Sequence, residues 1–590
     1  MIMFTGGGNS LKLAHAFFIL LVLVHLRPAL GFISGVGVGD ANNIRCPERE
    51  RQTLLKFKKA LVDDYGRLSS WRSKDKNCCN WKGVHCSNQT GHVLELHLGQ
   101  NRYSPDQPWR PLRGMISPCL LEFPDLTFLD LSENDFNQSN LPEFIGSLSN
   151  LKHLDLSWTN LSGPISHQLE NLSHLQFLNL LGNDLIIIEN LEWLSHLPSI
   201  EYLDLTSINL SVVNDWLEVV SHLSNLTTLN LWGCDLPSQM FSSLSGFNYW
   251  KSLTSLESLN LNPNKLVSLP KPIGDICTLR KLYFFFNNAN AQLVELVNNL
   301  SRYAKDSLED LGLSYNQLTG SLPNFTLFPS LKYLGLSNNI LNGTVPKSIG
   351  SLYKLEWLDM SSNFLQGTMS EAHFSNLSKL RHWHELVVLN LAGNKFSGEV
   401  PNSLGRLSNL ETLKLFNNSF SGNLPSALKK CSSLKVIDLG DNRFSGKVPA
   451  WIGEGLPKLI VLILRSNKFD GSIPLNLCWL THLQTLDLSL NDISGTIPFC
   501  LNNFTAMAQE GYDYDMINGL DYFSYVGNFT SQVQYFGSAT VVLKGREDEY
   551  GTNLGLLVMI NLSGNKLIGK LPTEISSLLE LVALNVSGKT

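Results

Sequence analysis

Lysine and arginine are too few and too dispersed in this 590-residue chain to build a basic face: 45 of them stand against 51 aspartates and glutamates, a formal charge of −6. That balance excludes nucleic acid as a natural partner. Also lacking, after the first thirty or so residues, is any apolar run of the ~20 residues needed to cross a bilayer. Catalytic motifs are missing too. "GVGVGD" at Gly35–Asp40 has neither the spacing nor the preceding strand of a dinucleotide loop, and "HELVV" after His384 is not a zinc-protease helix. No kinase loop is present, and nothing sets one histidine beside one serine with a third orienting group. His382 and His384 form an H-x-H pair with no third ligand near it in sequence, so no metal is expected there. These lacks point to a protein that binds instead of catalysing, without a cofactor.

The N-terminus sets the compartment. Lys12, the apolar "AFFILLVLV" of Ala16–Val24 and the small-x-small "ALG" of Ala29–Gly31 read as a secretory signal over residues 1–31. Ten cysteines suit an oxidising compartment. Cys46, Cys78, Cys79 and Cys86 cluster early, and Cys478 and Cys500 form a later pair. Four cysteines allow three connectivities; the preferred one joins Cys46 to Cys78 and Cys79 to Cys86. Fifteen Asn-x-Ser/Thr sequons mark candidate glycan sites: Asn88, Asn137, Asn160, Asn171, Asn209, Asn225, Asn299, Asn324, Asn342, Asn376, Asn417, Asn503, Asn528, Asn561 and Asn585. Part of that number is a by-product of a repeat that keeps writing "NLS".

The repeat is L-x-x-L-x-L-x-x-N. "LTFLDLSEN" ends at Asn134, "LQFLNLLGN" at Asn183, "LEDLGLSYN" at Asn316 and "LEWLDMSSN" at Asn363, and the ladder runs on to Asn565 in steps of mostly 23–26 residues. This is the leucine-rich-repeat period. The L-x-L leucines point inward from a short parallel strand while their neighbours face the other side. The asparagine can satisfy backbone groups of adjoining coils, with Thr159 and Cys234 standing in at two positions. L-x-G-x-I/L/V-P follows, as in "FSGKVP" ending at Pro449, where glycine permits a tight bend and proline ends the extended segment. About eighteen coils from Val93 onward, ~4.8 Å apart, would stack to on the order of 85 Å. The expected fold is a right-handed leucine-rich-repeat solenoid of α/β repeat class.

The L-x-G-x-I-P variant resembles the repeats of plant extracellular receptors, over nearly all of residues 90–590. Ahead of it, "CPERERQTLLKFKKALVDDYGRLSSW" predicts an amphipathic helix with Leu54, Phe57 and Leu61 on one face, and "CCNWKGVHC" a disulfide-tied hairpin. This cap, residues 32–89, resembles the plant-type leucine-rich-repeat N-terminal domain, in particular that of receptor-like proteins that sense fungal xylanase or confer scab resistance.

Two departures break the period. Between Asn491 and Asn565 lie 74 residues where one repeat needs about 24, so an insertion is placed at 502–553, flanked by repeats at 90–501 and 554–590. Its aromatic and acidic composition, with Tyr512 and Tyr514 among Asp and Glu, argues for a binding element over a disordered loop. It resembles the island domain of plant receptor-like proteins, and the resemblance assigns Lys544 and Tyr550 to ligand or co-receptor contacts. The second break, 31 residues from Asn363 to Asn394, suggests by the same resemblance that repeats are missing between Arg381 and His382.

Outward strand positions supply a candidate ligand face: Phe177, Tyr202, Trp232, Tyr283, Phe285, Tyr333, Trp357 and Phe416, expected as exposed aromatic anchors. The resemblance implies a non-enzymatic receptor-like protein of plant innate immunity that binds a microbial protein or peptide elicitor and works with co-receptor and adaptor receptor-like kinases. It also implies that "LVALNVSGKT", Leu581–Thr590, half a coil, belongs to a receptor cut short: secreted to the apoplast as written, and held at the plasma membrane when full-length. The rival reading is a soluble decoy, or an inhibitor of microbial cell-wall hydrolases.

Overall fold

The computed structural model describes residues 45–100, 109–165, 168–237, 249–269, 271–374, 386–509, 539–543, 546–550 and 557–588. The signal segment 1–31, His382, His384, Asn376, Asn528, Tyr512, Tyr514 and Lys544 lie outside them.

One open, curved sheet runs the length of the array. Val84–Cys86 lies antiparallel to Val93–His97, which is the first of eighteen parallel rungs among the described residues, the last being Ala583–Asn585. Equivalent residues pair throughout: Leu129 with Leu154, Leu154 with Leu178, Leu178 with Leu203. These leucines have no exposed surface, and burying each one contributes about 2 kcal/mol. A slip of one residue would turn every one of them to solvent, which is what fixes the register.

The asparagine ladder locks coil to coil. Asn491 donates from Nδ2 to the carbonyls of Leu464 (3.0 Å), Leu488 (3.1 Å) and Ser489 (3.0 Å), and its Oδ1 accepts from the Phe469 N–H at 3.0 Å. Asn287 is a further ladder residue, in the rung where Phe284 replaces the third leucine, and bonds to Leu261 and Phe285. Thr159 donates to the Leu156 carbonyl and the Cys234 thiol to that of Leu205 (3.1 Å). Ile208, fully buried, occupies the same position with no polar atom to offer.

On the opposite side the glycine-proline segments form a second sheet of seven short parallel strands, from Thr319–Ser321 to Lys468–Asp470. Gly446 shows why glycine is needed: its φ is +80°, and a Cβ there would run into Asn423 Oδ1. Behind this sheet Phe396, Phe420, Phe444 and Phe469 stack at 6.0, 6.2 and 6.4 Å. Each phenylalanine gives its backbone N–H to the ladder asparagine of the next coil.

The cap helix spans Glu48–Ala60 and buries Leu54 and Phe57; Leu61 falls just beyond it, in a two-residue strand paired with Arg113–Gly114. Disulfides join Cys46 to Cys78 and Cys79 to Cys86, and a third joins Cys478 to Cys500. Glu50, 3 % exposed, ties helix to array by accepting the Val93 N–H at 2.7 Å and pairing with His92 Nδ1 at 2.5 Å.

Both breaks in the period leave the sheet intact. Trp357–Asp359 pairs in register with Val388–Asn390, so the 31-residue step spans adjacent rungs. Thr485–Asp487 pairs directly with Met559–Asn561, so the insertion leaves and re-enters between neighbouring rungs. It begins later than residue 502, because Phe504 and Met507 are fully buried in the solenoid core. Within it Ala539–Leu543 and Arg546–Tyr550 pair as an antiparallel hairpin. Among the described residues no helix is long and apolar enough to cross a membrane.

Candidate ligand-binding face

The parallel register brings the residue before each middle leucine into a row across the concave face. Near the cap this row is aromatic: Phe128, His153, Phe177 and Tyr202 pair in sequence. With strands less than 5 Å apart their rings stack at 3.8, 4.0 and 4.3 Å, almost parallel. His97 extends the stack onto Phe128 at 4.3 Å. Sandwiched between two phenylalanines, His153 is held neutral: burial lowers its pKa to about 4, and the nearby His97 pushes the same way. Phe177 and Tyr202 are therefore half-buried members of a stack whose other members, His97, Phe128 and His153, the sequence reading overlooked. Writing the repeats under one another at this position exposes the run.

Four of the expected anchors are not exposed. Tyr283, Phe285, Tyr333 and Trp357 pack with Val388 into a buried cluster and retain only 2–6 % of their surface. Glycines make room for two of them: a Cβ on Gly312, in the next rung, would strike the Phe285 ring, and one on Gly335, at the end of Tyr333's own strand, the Tyr333 hydroxyl. The Tyr283 hydroxyl donates to Asp310 at 2.6 Å. Phe416 is half-buried beneath the Arg465 guanidinium, 5.4 Å from its ring. Of the eight, Trp232 alone stands well exposed, at 44 %.

A second pair fills the role the buried four were given. Phe286 and Tyr315, 53 % and 41 % exposed, stack at 4.1 Å on neighbouring rungs. Both have left-handed backbone, φ +52° and +55°. They occupy the position just before the ladder asparagine, where other coils place Ser362, Asn417, Asp441 or Ser466 in the same conformation. Short polar residues tolerate that region; a bulky ring there costs about 1 kcal/mol or more. Trp158 and Leu490 hold the same position with φ +53° and +55°, so bulky side chains recur there, and what sets Phe286 and Tyr315 apart is that they fall on neighbouring rungs and stack.

Between the inward leucines runs a row of buried aspartates. Asp155 accepts from the Ser157 N–H (2.9 Å) and hydroxyl (2.7 Å) and from Asn179 (3.1 Å); Asp487 repeats the pattern with Ser489 and Asn561. Burial outweighs these bonds and pushes Asp155 and Asp438 up to about 7. Asp204, Asp359 and Asp487 are raised from the same cause.

Asn561 itself is only 4 % exposed, and its amide is committed to Asp487 and Ser489. Of its "NLS" sequon only the asparagine lies in a strand, as the last residue of Met559–Asn561. Asn299 is half-buried, and the remaining described sequon residues are exposed. Tyr550 ends the second strand of the insertion hairpin.

Comparison with known proteins places this geometry. The leucine-rich-repeat N-terminal domain family matches residues 47–87, and leucine-rich-repeat families match 329–384 and six further segments from 150–172 to 556–578. Receptor-like protein EIX2 of Solanum lycopersicum is 39 % identical over 401 residues, covering 67 % of this chain and 35 % of that protein. Receptor-like protein EIX1 of the same species is 29 % identical over 354 residues, 50 % of this chain and 34 % of the relative. The chain thus spans about a third of the length of these curated relatives. Among solved structures, the Arabidopsis receptor kinase HAESA, in complex with the peptide hormone IDA and the co-receptor SERK1, superimposes with a TM-score of 0.66 at 25 % identity, over 92 % of this chain and 82 % of that one. The plant peptide hormone receptor RGFR1 gives 0.54 at 23 %, over 86 % and 83 %. With the cap, the two-sheet coils and these relatives in agreement, the chain belongs to the leucine-rich-repeat receptor-like proteins of plants.

Proposed function

We propose that this protein is a non-enzymatic extracellular recognition protein of plant defence, which binds a microbial protein or peptide elicitor and engages a co-receptor kinase. The observation that carries the reading is the Phe286–Tyr315 pair: two exposed, stacked rings kept on strained backbone at the edge of a rigid sheet. Large exposed aromatics on a preformed surface supply contact area with little ordering cost. In this reading Trp232, Phe177, Tyr202 and Phe416 extend the contact surface along the concave face. Tyr283, Phe285, Tyr333 and Trp357 form its packed floor. The insertion, with Tyr512, Tyr514, Lys544 and Tyr550, contributes the co-receptor contact. Its support is that it emerges between two adjacent rungs without disturbing them. That the HAESA ectodomain was captured with a peptide hormone and SERK1 supports a shared scaffold for peptide and co-receptor.

The test is to immobilise the secreted chain and titrate it with purified fungal xylanase and with a panel of secreted microbial peptides. At least one is expected to bind, and Trp232→Ala and the Phe286→Asn/Tyr315→Asn double variant should each weaken it by about tenfold or more. A ligand whose affinity is untouched by both changes, or a panel with no binder, overturns the reading. Lys544→Ala/Tyr550→Ala should abolish association with a co-receptor ectodomain while secretion is retained.

A further inference from the structure

At the junction of cap and array three metal-ligating side chains converge that the ligand-binding reading does not use. His85, on Val84–Cys86, lies directly across the antiparallel pairing from Glu95. Glu95 and His97 are two residues apart on Val93–His97 and therefore share a face. Glu95 Oε2 is 3.7 Å from His85 Nδ1 and 2.8 Å from His97 Nε2, and the three ligand atoms lie within 4.8 Å of one another. In a tetrahedral zinc site with bonds of about 2.0–2.1 Å, ligand atoms stand roughly 3.3 Å apart. An ion entering here would need only rotamer-scale adjustment.

The framework around them is rigid. Cys86, next to His85, is held by the disulfide to Cys79. The His97 ring is fixed between His85, 4.7 Å away, and Phe128, 4.3 Å away. The side chains remain 62 %, 39 % and 36 % exposed, which gives an ion access and leaves the solvent side of the site uncovered. Two imidazoles and one carboxylate suit a borderline divalent ion, zinc or copper; calcium and magnesium demand more oxygen ligands.

We propose that His85, Glu95 and His97 form a divalent transition-metal site joining the cap hairpin to the first rung, with a coordination position open toward the concave face. Bound metal ties two strands together and stabilises the cap end. The open position accepts water or a carboxylate or imidazole from a partner.

The test uses the full secreted chain without a histidine tag, stripped of metal and titrated with Zn2+ by calorimetry and with Co2+ by its visible absorption. One ion per chain is expected at micromolar affinity or tighter. Affinity should fall by at least about tenfold in His97→Gln, and by a similar factor in Glu95→Ala. The metal-free melting temperature and circular dichroism of both variants should match the parent, which separates lost ligation from lost fold. His382→Ala/His384→Ala should bind as the parent does. Absence of binding up to millimolar metal overturns the proposal. So does binding that survives His85→Ala/His97→Gln or is lost with His382 and His384.

Discussion

Asn491 closes four hydrogen bonds with one side chain, 1 % exposed, and three of the groups it serves are backbone carbonyls of two different coils. Alanine there leaves buried donors and acceptors without partners, so Asn491→Ala should cost about 2–4 kcal/mol, read as a lower denaturant midpoint. Phe286→Asn should act in the opposite direction, gaining about 1 kcal/mol by relieving the left-handed ring while weakening ligand binding. Unchanged or lower stability would remove strain from the account of this site. Most of the ladder was legible because a lone asparagine at a fixed offset from three leucines is hard to mistake. Asn287 and Ile208 were missed where Phe284 and Ile200 replaced leucine in the frame. The outward aromatics were legible in position but not in burial, since room for Phe285 depends on Gly312 in the next rung and room for Tyr333 on Gly335 two residues along its own strand.

At the scale of elements, the cap is a helix and a hairpin tied by two disulfides over a few buried residues. The Cys46–Cys78 bridge closes 32 residues, a loop whose cross-link is worth about 3–4 kcal/mol. Replacing both cysteines with serine should make the cap helix the first segment cut in limited proteolysis, while the central rungs remain resistant. A cap that resists as well as the parent's would show that Glu50, bonded to Val93 and His92, suffices to hold it. The helix was legible from spacing; the "CCNWKGVHC" segment is instead a 3-10 turn at Cys78–Asn80 followed by one strand, Val84–Cys86, whose hairpin partner is the first rung Val93–His97. The start of the insertion was not legible, because Phe504 and Met507 are of the same aromatic and apolar types as residues further along the insertion sequence and are distinguished only by the core they fill.

The whole molecule carries its buried aspartates as a pH dependence. Asp155 and Asp438 titrate near 7 in the folded chain, against a reference of 3.8, and Asp204, Asp310, Asp359 and Asp487 are shifted the same way. Between about pH 4 and 7 the native state keeps protons that the unfolded chain has released, so raising the pH through this window lowers stability. His153 works against this, its folded pKa near 4 favouring the native state above that value. The aspartates outnumber it, and the melting temperature should fall between pH 5 and 7.5. Asp155→Asn/Asp438→Asn should flatten the profile; a parent melting temperature that holds or rises would contradict the shifts.

The ladder also sets where the array gives way. In a stack whose stability is a sum of neighbour terms, cooperativity runs only as far as the links are strong. From Asn264 to Asn565 every described ladder position is asparagine, whereas Thr159, Ile208 and Cys234 fall within the preceding rungs. That stretch is a built-in seam. Under load or heat the solenoid should part there into a cap-bearing fragment and a long intact remainder, with amide exchange fastest across residues 200–236.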